Sequence, residues 1–187
     1  MKSYFSFKPE HFNNNGDQGN IDVIGHFADL QNVDLVKTDV LENADFVLFG
    51  DASQAAMKHY EDDLGDFVES LKLRLENGLP TLLVGSCFEL FWPLLTGVGF
   101  ERSARVSEFR SVSSEAGVIL GYRNSTVSND DFIINRGFVG TTFFGPVLSI
   151  NPELLNRILL EMKLEPARWT GQEQALVERV RSDFTDG

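Results

Sequence analysis

A short stretch without a charge, Thr81-Leu82-Leu83-Val84, stops at the small residues Gly85-Ser86-Cys87, and apolar residues then resume at helical spacing from Phe88 to Leu95. A strand with no polar face must be covered on both sides, which a helix-flanked parallel sheet does and a one-sided antiparallel sheet does not. The small residues read as a sharp strand-to-helix turn, a geometry that can hold a nucleophile up at the edge of a sheet. The chain's single cysteine, Cys87, falls inside this turn.

The rest of the sequence supplies the alternation that such a sheet needs. Ser3–Phe7, Val33–Thr38 and Phe46–Phe49 read as strands, and a helix starts near Ile21 behind the Asn- and Gly-rich stretch 13–19. From Met57 to Leu75 apolar residues form a near-continuous helical stripe, closed by Asn77-Gly78. Beyond Leu95 the pattern changes: Ala104–Val112, Val118–Arg123, Phe132–Asn135 and Phe138–Phe144 read as strands. Asn151 is placed to cap a helix that begins at Pro152, and Leu176, Val177, Val180 and Phe184 share one face of a last helix over 171–184. With no repeat or linker in 187 residues, we expect one domain over 1–187 and an α/β fold. Its architecture is a three-layer sandwich about a largely parallel central sheet.

Charge and composition narrow the function classes. A formal net charge of −12 without a basic cluster repels phosphate backbones, so nucleic acid is not an expected partner. One cysteine excludes an internal disulfide and a Cys-rich zinc site. His11, His26 and His59 share no face with acidic ligands at metal-binding spacing, so neither a metal nor a cofactor is expected. The run Glu61-Asp62-Asp63 reads as a solvated helix face. Without a signal-like start or a membrane-length apolar stretch, a cytoplasmic protein is expected.

Four segments, in order, resemble the CobB/CobQ-like class I glutamine amidotransferases, most closely the glutaminase subunit of lipid II isoglutaminyl synthase. Gly16-Asp17-Gln18-Gly19-Asn20-Ile21 is similar to that family's Gly-Asp-x-Gly-Asn-Ile loop. Asp45–Gly50 resembles the strand entering its Gly-rich loop, and Gly78–Phe91 its strand–elbow–helix. Gly140-Thr141-Thr142-Phe143-Phe144-Gly145-Pro146-Val147-Leu148, trailed by Asn151-Pro152, resembles its Gly-Thr-Tyr-Leu-His-Gly-Pro-x-Leu and Asn-Pro. The resemblance implies a flavodoxin-like fold. It also implies a cysteine that attacks the amide of glutamine, a histidine that moves the proton, and backbone N–H groups that hold the oxyanion. Ammonia would then pass to an ATP-dependent, Mur-ligase-like synthetase partner.

The chain departs from that pattern where the chemistry lies. Aligned without a gap to the family's Cys-Gly-Gly-Tyr-Gln, Gly85 takes the nucleophile position and Cys87 the second glycine. Phe144 takes the position of the base, and a phenyl ring cannot carry a proton. The substrate loop reads Gly50-Asp51-Ala52-Ser53, which brings a negative charge near the place where an oxyanion would develop. Both polar positions of the family's Gly-Tyr/Phe-Glu-x-His are changed in Gly121-Tyr122-Arg123-Asn124-Ser125. The expectation is therefore a glutamine amidotransferase-like protein with no catalytic residues, a degenerate substrate loop, and a binding or scaffold role beside a synthetase. The alternative is an active thiol-dependent amidotransferase or amidohydrolase with rearranged groups and Cys87 as nucleophile. A further expectation is that Phe91, Trp92, Phe138, Phe143 and Phe144 gather as an aromatic plug in the emptied site.

Overall fold

The computed structural model describes residues 1–185. Its strands are β1 (Lys2–Ser6), β2 (Leu35–Lys37), β3 (Phe46–Phe49), β4 (Thr81–Val84), β5 (Arg102–Ser114), β6 (Gly117–Val127), β7 (Phe132–Asn135), β8 (Phe138–Thr141) and β9 (Phe143–Phe144). The helices are α1 (Gly19–Asp29), α2 (Gln54–His59), α3 (Glu61–Gly65), α4 (Val68–Asn77), α5 (Ser86–Thr96), α6 (Pro152–Glu161) and α7 (Gly171–Thr185). Six strands form the central sheet in the order β2-β1-β3-β4-β8-β7, parallel except for the antiparallel edge strand β7. A second, antiparallel sheet of order β5-β6-β9 is separate from it.

Alternating side chains of β3 and β4 feed two cores, which is why neither strand has a polar face. Phe46, Leu48, Leu82 and Val84 meet Ile21, Ile24 and Phe27 of α1 and Leu154, Leu155, Ile158 and Leu159 of α6. Val47, Phe49 and Leu83 meet Leu64 of α3, Leu71 of α4 and Phe88 and Phe91 of α5. The three layers expected from the sequence are thus present.

Several local expectations are corrected. The stripe from Met57 to Leu75 is three helices, not one. Tyr60 turns its ring onto Phe7 and Phe12, and Phe67 packs on Phe5, Phe7 and Phe49, so the chain bends at both places to reach one aromatic cluster. Glu61, Asp62 and Asp63 then occupy the first turn of α3, where the helix dipole favours anions. Gly78 ends α4 in the left-handed region, φ 60°, as its place behind Asn77 predicts. The strand expected over Phe138–Phe144 is divided between two sheets at Thr142, whose hydroxyl and N–H both bond to Asp131. Asn151 does not cap α6 with its side chain. It reaches across to the N–H and C=O of Leu120 and to the carbonyl of Val147, tying β6 to the helix entrance. Leu176 stands 63% exposed, whereas Val177 is the buried residue on that helix.

Candidate functional site

The chain leaves β1 to build β2 on one side and returns to build β3 on the other, so the sheet order reverses between β1 and β3. In open α/β sheets the crevice at such a reversal, beyond the carboxyl ends of the strands, is the natural ligand position. The connections that follow β1, β3, β4 and β9 meet there.

Asp17 joins three of them. Its fully buried carboxylate accepts the N–H of Asp51 (2.8 Å) and the N–H of Gly145 (2.9 Å). Asn20 completes the link, donating to the carbonyls of Asp17 and Gly145 and accepting from the Leu148 N–H. Two segments far apart in sequence, Gly16–Ile21 and Gly145–Leu148, are therefore hydrogen-bonded as one unit. Burial pushes the Asp17 carboxyl up to about 6, opposed by its two backbone N–H partners and reinforced by the charge of Asp51.

The strand-to-helix turn has its strained residue at Gly85, with φ 53° and ψ −118°. Gly85, not Cys87, occupies the tip of the elbow. A β-carbon built on Gly85 would collide with the Phe144 ring and lie 2.5 Å from the Asp51 carboxylate. The region into which an elbow side chain projects is thus filled by a phenyl ring and an acid.

Three N–H groups beside the elbow are committed within the chain. The Ser86 N–H donates to Asp51 Oδ1 (2.9 Å), the Ala52 N–H to Ser86 Oγ (2.9 Å), and the Asp51 N–H to Asp17. Asp51 Oδ2 further accepts from the amides of Asn15 (3.2 Å) and Asn14 (3.4 Å). The Asp51 carboxylate therefore takes up the donors beside the elbow and places a negative charge there.

In front of this floor lies an open cleft of about 550 Å³, a size suited to a small molecule. Asp51, Ala52, Gln54, Ser86, Glu89 and Phe144 line it together with Arg102 and Arg105 of β5 and Asn124 of β6. The aromatic plug does not form: Phe143 lies in the core under α1 and α6, Phe91 and Phe138 lie in the core on the opposite face of the sheet, and Phe144 alone reaches the cleft. A second hollow of about 460 Å³, bordered by Phe5, Lys8, Asp39, Asp63 and Phe67, involves none of the elbow residues.

Other residues singled out from the sequence lie elsewhere. Cys87 is wholly buried on the inner face of α5, among the aromatic residues of that core. Burial raises its thiol well above the ordinary range, and the charges of Asp51 and Asp17 act in the same direction. No histidine lines the cleft. His26 faces Glu173 at 3.2 Å, and His11 and His59 pack against Tyr60. Ser53 caps α2 by accepting the Ala56 N–H, and Gly50 lies outside the cleft wall. Arg123 is buried against Asp131 at 2.8 Å, and Asp131 also pairs with Arg110 at 2.7 Å.

The arginines of the cleft were not apparent as site residues in the sequence. They arrive from β5, whose long antiparallel pairing with β6 carries them over the elbow, and only their spacing on one strand could have hinted at it. Arg102 is paired with Glu89, which also accepts from the Ser125 hydroxyl. Among the described residues no group of three or more metal-ligating side chains gathers anywhere, and no helix is long and apolar enough to cross a membrane.

No family model matches the sequence, and no curated protein matches it. Among solved structures, the chain is similar to a glutamine amidotransferase from Thermotoga maritima, with a TM-score of 0.52 over 98% of this chain and 93% of that one, at 13% identity. It is also similar to SMU.1228c, with a TM-score of 0.50 over 97% of this chain and 99% of that one, at 11% identity. At these identities the likeness is one of architecture, and it is nearly end to end in both cases: the chain has a glutamine amidotransferase-like, flavodoxin-type α/β fold.

Proposed function

We propose that this protein keeps the glutamine amidotransferase architecture without releasing ammonia from glutamine, and that it acts as a binding or scaffold subunit for an ATP-dependent synthetase. The observation that carries this reading is the filled space above Gly85. Acyl transfer through a covalent intermediate requires a nucleophile, a proton carrier beside it and free donors for the oxyanion. Here the elbow has no side chain, its neighbour is the Phe144 ring, and the Asp51 carboxylate takes the Ser86 N–H. The motifs around Asp17 and Gly145 favour a CobB/CobQ-like ancestry, and that ancestry favours a Mur-ligase-like partner. The net charge of −12 suits a partner with a basic face.

The competing reading makes Cys87 the nucleophile. It requires a thiol with access to the cleft and a base within hydrogen-bond reach, whereas Cys87 is fully buried and no imidazole lines the cleft. The purified chain, incubated with L-glutamine, is expected to release no ammonia above background, and Cys87→Ala is expected to change nothing. Turnover that disappears in Cys87→Ala would restore the enzyme. Affinity purification of the tagged chain from its own cells is expected to bring down a synthetase, equally with Cys87→Ala.

A further inference from the structure

Among the described residues Asp51 has no counter-ion. None of the ion pairs among the described residues includes it, or Asp17 behind it. Its carboxylate accepts one good backbone bond and two long amide bonds, which leaves lone-pair positions facing the cleft that it lines. In the same cleft, among the described residues, Arg105 reaches only neutral oxygens, the carbonyl and side-chain oxygens of Asn124, each at 3.1 Å. Arg102 next to it is already neutralised by Glu89. The cleft therefore offers one uncompensated anion at its floor and one uncompensated cation on its wall.

A site that polarises a carbonyl presents N–H donors at its floor. This one presents lone pairs, so its polarity is inverted: the carbonyl oxygen of a glutamine amide would face a carboxylate. We propose that the cleft binds a small zwitterion of the basic α-amino acid class, its side-chain cation on Asp51 and its carboxylate on Arg105. This rests on the reading that the site does not process glutamine. Leu90 and Phe144 supply apolar wall for an aliphatic stem, and Gln54 supplies a further polar group to the lining. A ligand with one net positive charge is also drawn to a chain of net charge −12.

Calorimetric titration of the full chain with L-ornithine and L-lysine tests this, beside L-glutamine and L-glutamate. Saturable binding of a basic amino acid is expected, with L-glutamine weaker. Asp51→Asn and Arg105→Glu should each weaken it roughly ten- to a hundredfold, the scale of a lost charge-assisted hydrogen bond. Arg105 is exposed on a strand, so Arg105→Glu remains decisive should Asp51→Asn fail to fold. Absence of binding by both basic amino acids, preference for L-glutamine, or affinity unchanged by Arg105→Glu would overturn the assignment. Ammonia release is read in parallel. Its absence together with absent binding overturns only the ligand, whereas ammonia formed from L-glutamine overturns the functional reading and this assignment with it.

Discussion

At the scale of single residues, those that shape the cleft do so by steric and electrostatic means: Gly85 leaves the elbow bare, and Phe144 and Asp51 fill the space above it. Gly85 and Phe144 were legible because the elbow has a local pattern and a phenyl ring has no proton to move. The negative charge that Asp51 brings to the cleft was legible too. Its partners were not, since Ser86, Asn14 and Asn15 reach it only through the fold. Asp17 yields a measurable consequence. Its carboxyl is raised from an ordinary 3.8 to about 6 in the folded protein, so the native state holds that proton more tightly than the unfolded chain. The resulting stabilisation is fully present below about pH 4 and is lost as the pH rises through 6; two pH units correspond to about 3 kcal/mol. Urea unfolding of wild type and Asp17→Asn at pH 4 and pH 7 should show the advantage of wild type shrinking by roughly that amount at pH 7. A pH-independent difference would mean that Asp17 does not titrate in this window.

Among elements, those that could be read directly are those whose burial is decided by their own side chains. Phe46–Phe49, Thr81–Val84 and Phe132–Asn135 emerge with the expected bounds because each is a short run of β-formers between breakers. The helical stripe at 57–75 was misleading, because Tyr60 and Phe67 preserve the period while packing on Phe7 bends the backbone. The division of β8 from β9 was equally hidden, since it depends on Thr142 meeting Asp131, eleven residues away. Asp131 also anchors the second sheet to the first through buried Arg123. Asp131→Ala should destabilise the protein by about 3–5 kcal/mol, the cost of a buried guanidinium left without its acid, measured as a shift in denaturant midpoint. A change below about 1 kcal/mol would mean that Arg123 finds compensation elsewhere.

For the whole molecule, the two sheets should differ in firmness. β3 and β4 are buried on both faces, whereas most of β5 is exposed and only one of its edges is paired. Native-state hydrogen exchange should find the slowest amides in β3 and β4 and fast exchange along the unpaired edge of β5. Uniform protection across both sheets would contradict this. Arg102 and Arg105 belong to that exposed hairpin, while Asp51 closely follows the buried strand β3, so the same exchange experiment should find one rigid wall of the cleft and one yielding wall. The rigid wall has its own vulnerability. Because Asp17 gathers the reversals after β1, β3 and β9 on a single carboxylate, any change that moves Asp17 strands the N–H groups of Asp51 and Gly145 together. The stretch after β1 is therefore the least free of the three to vary alone.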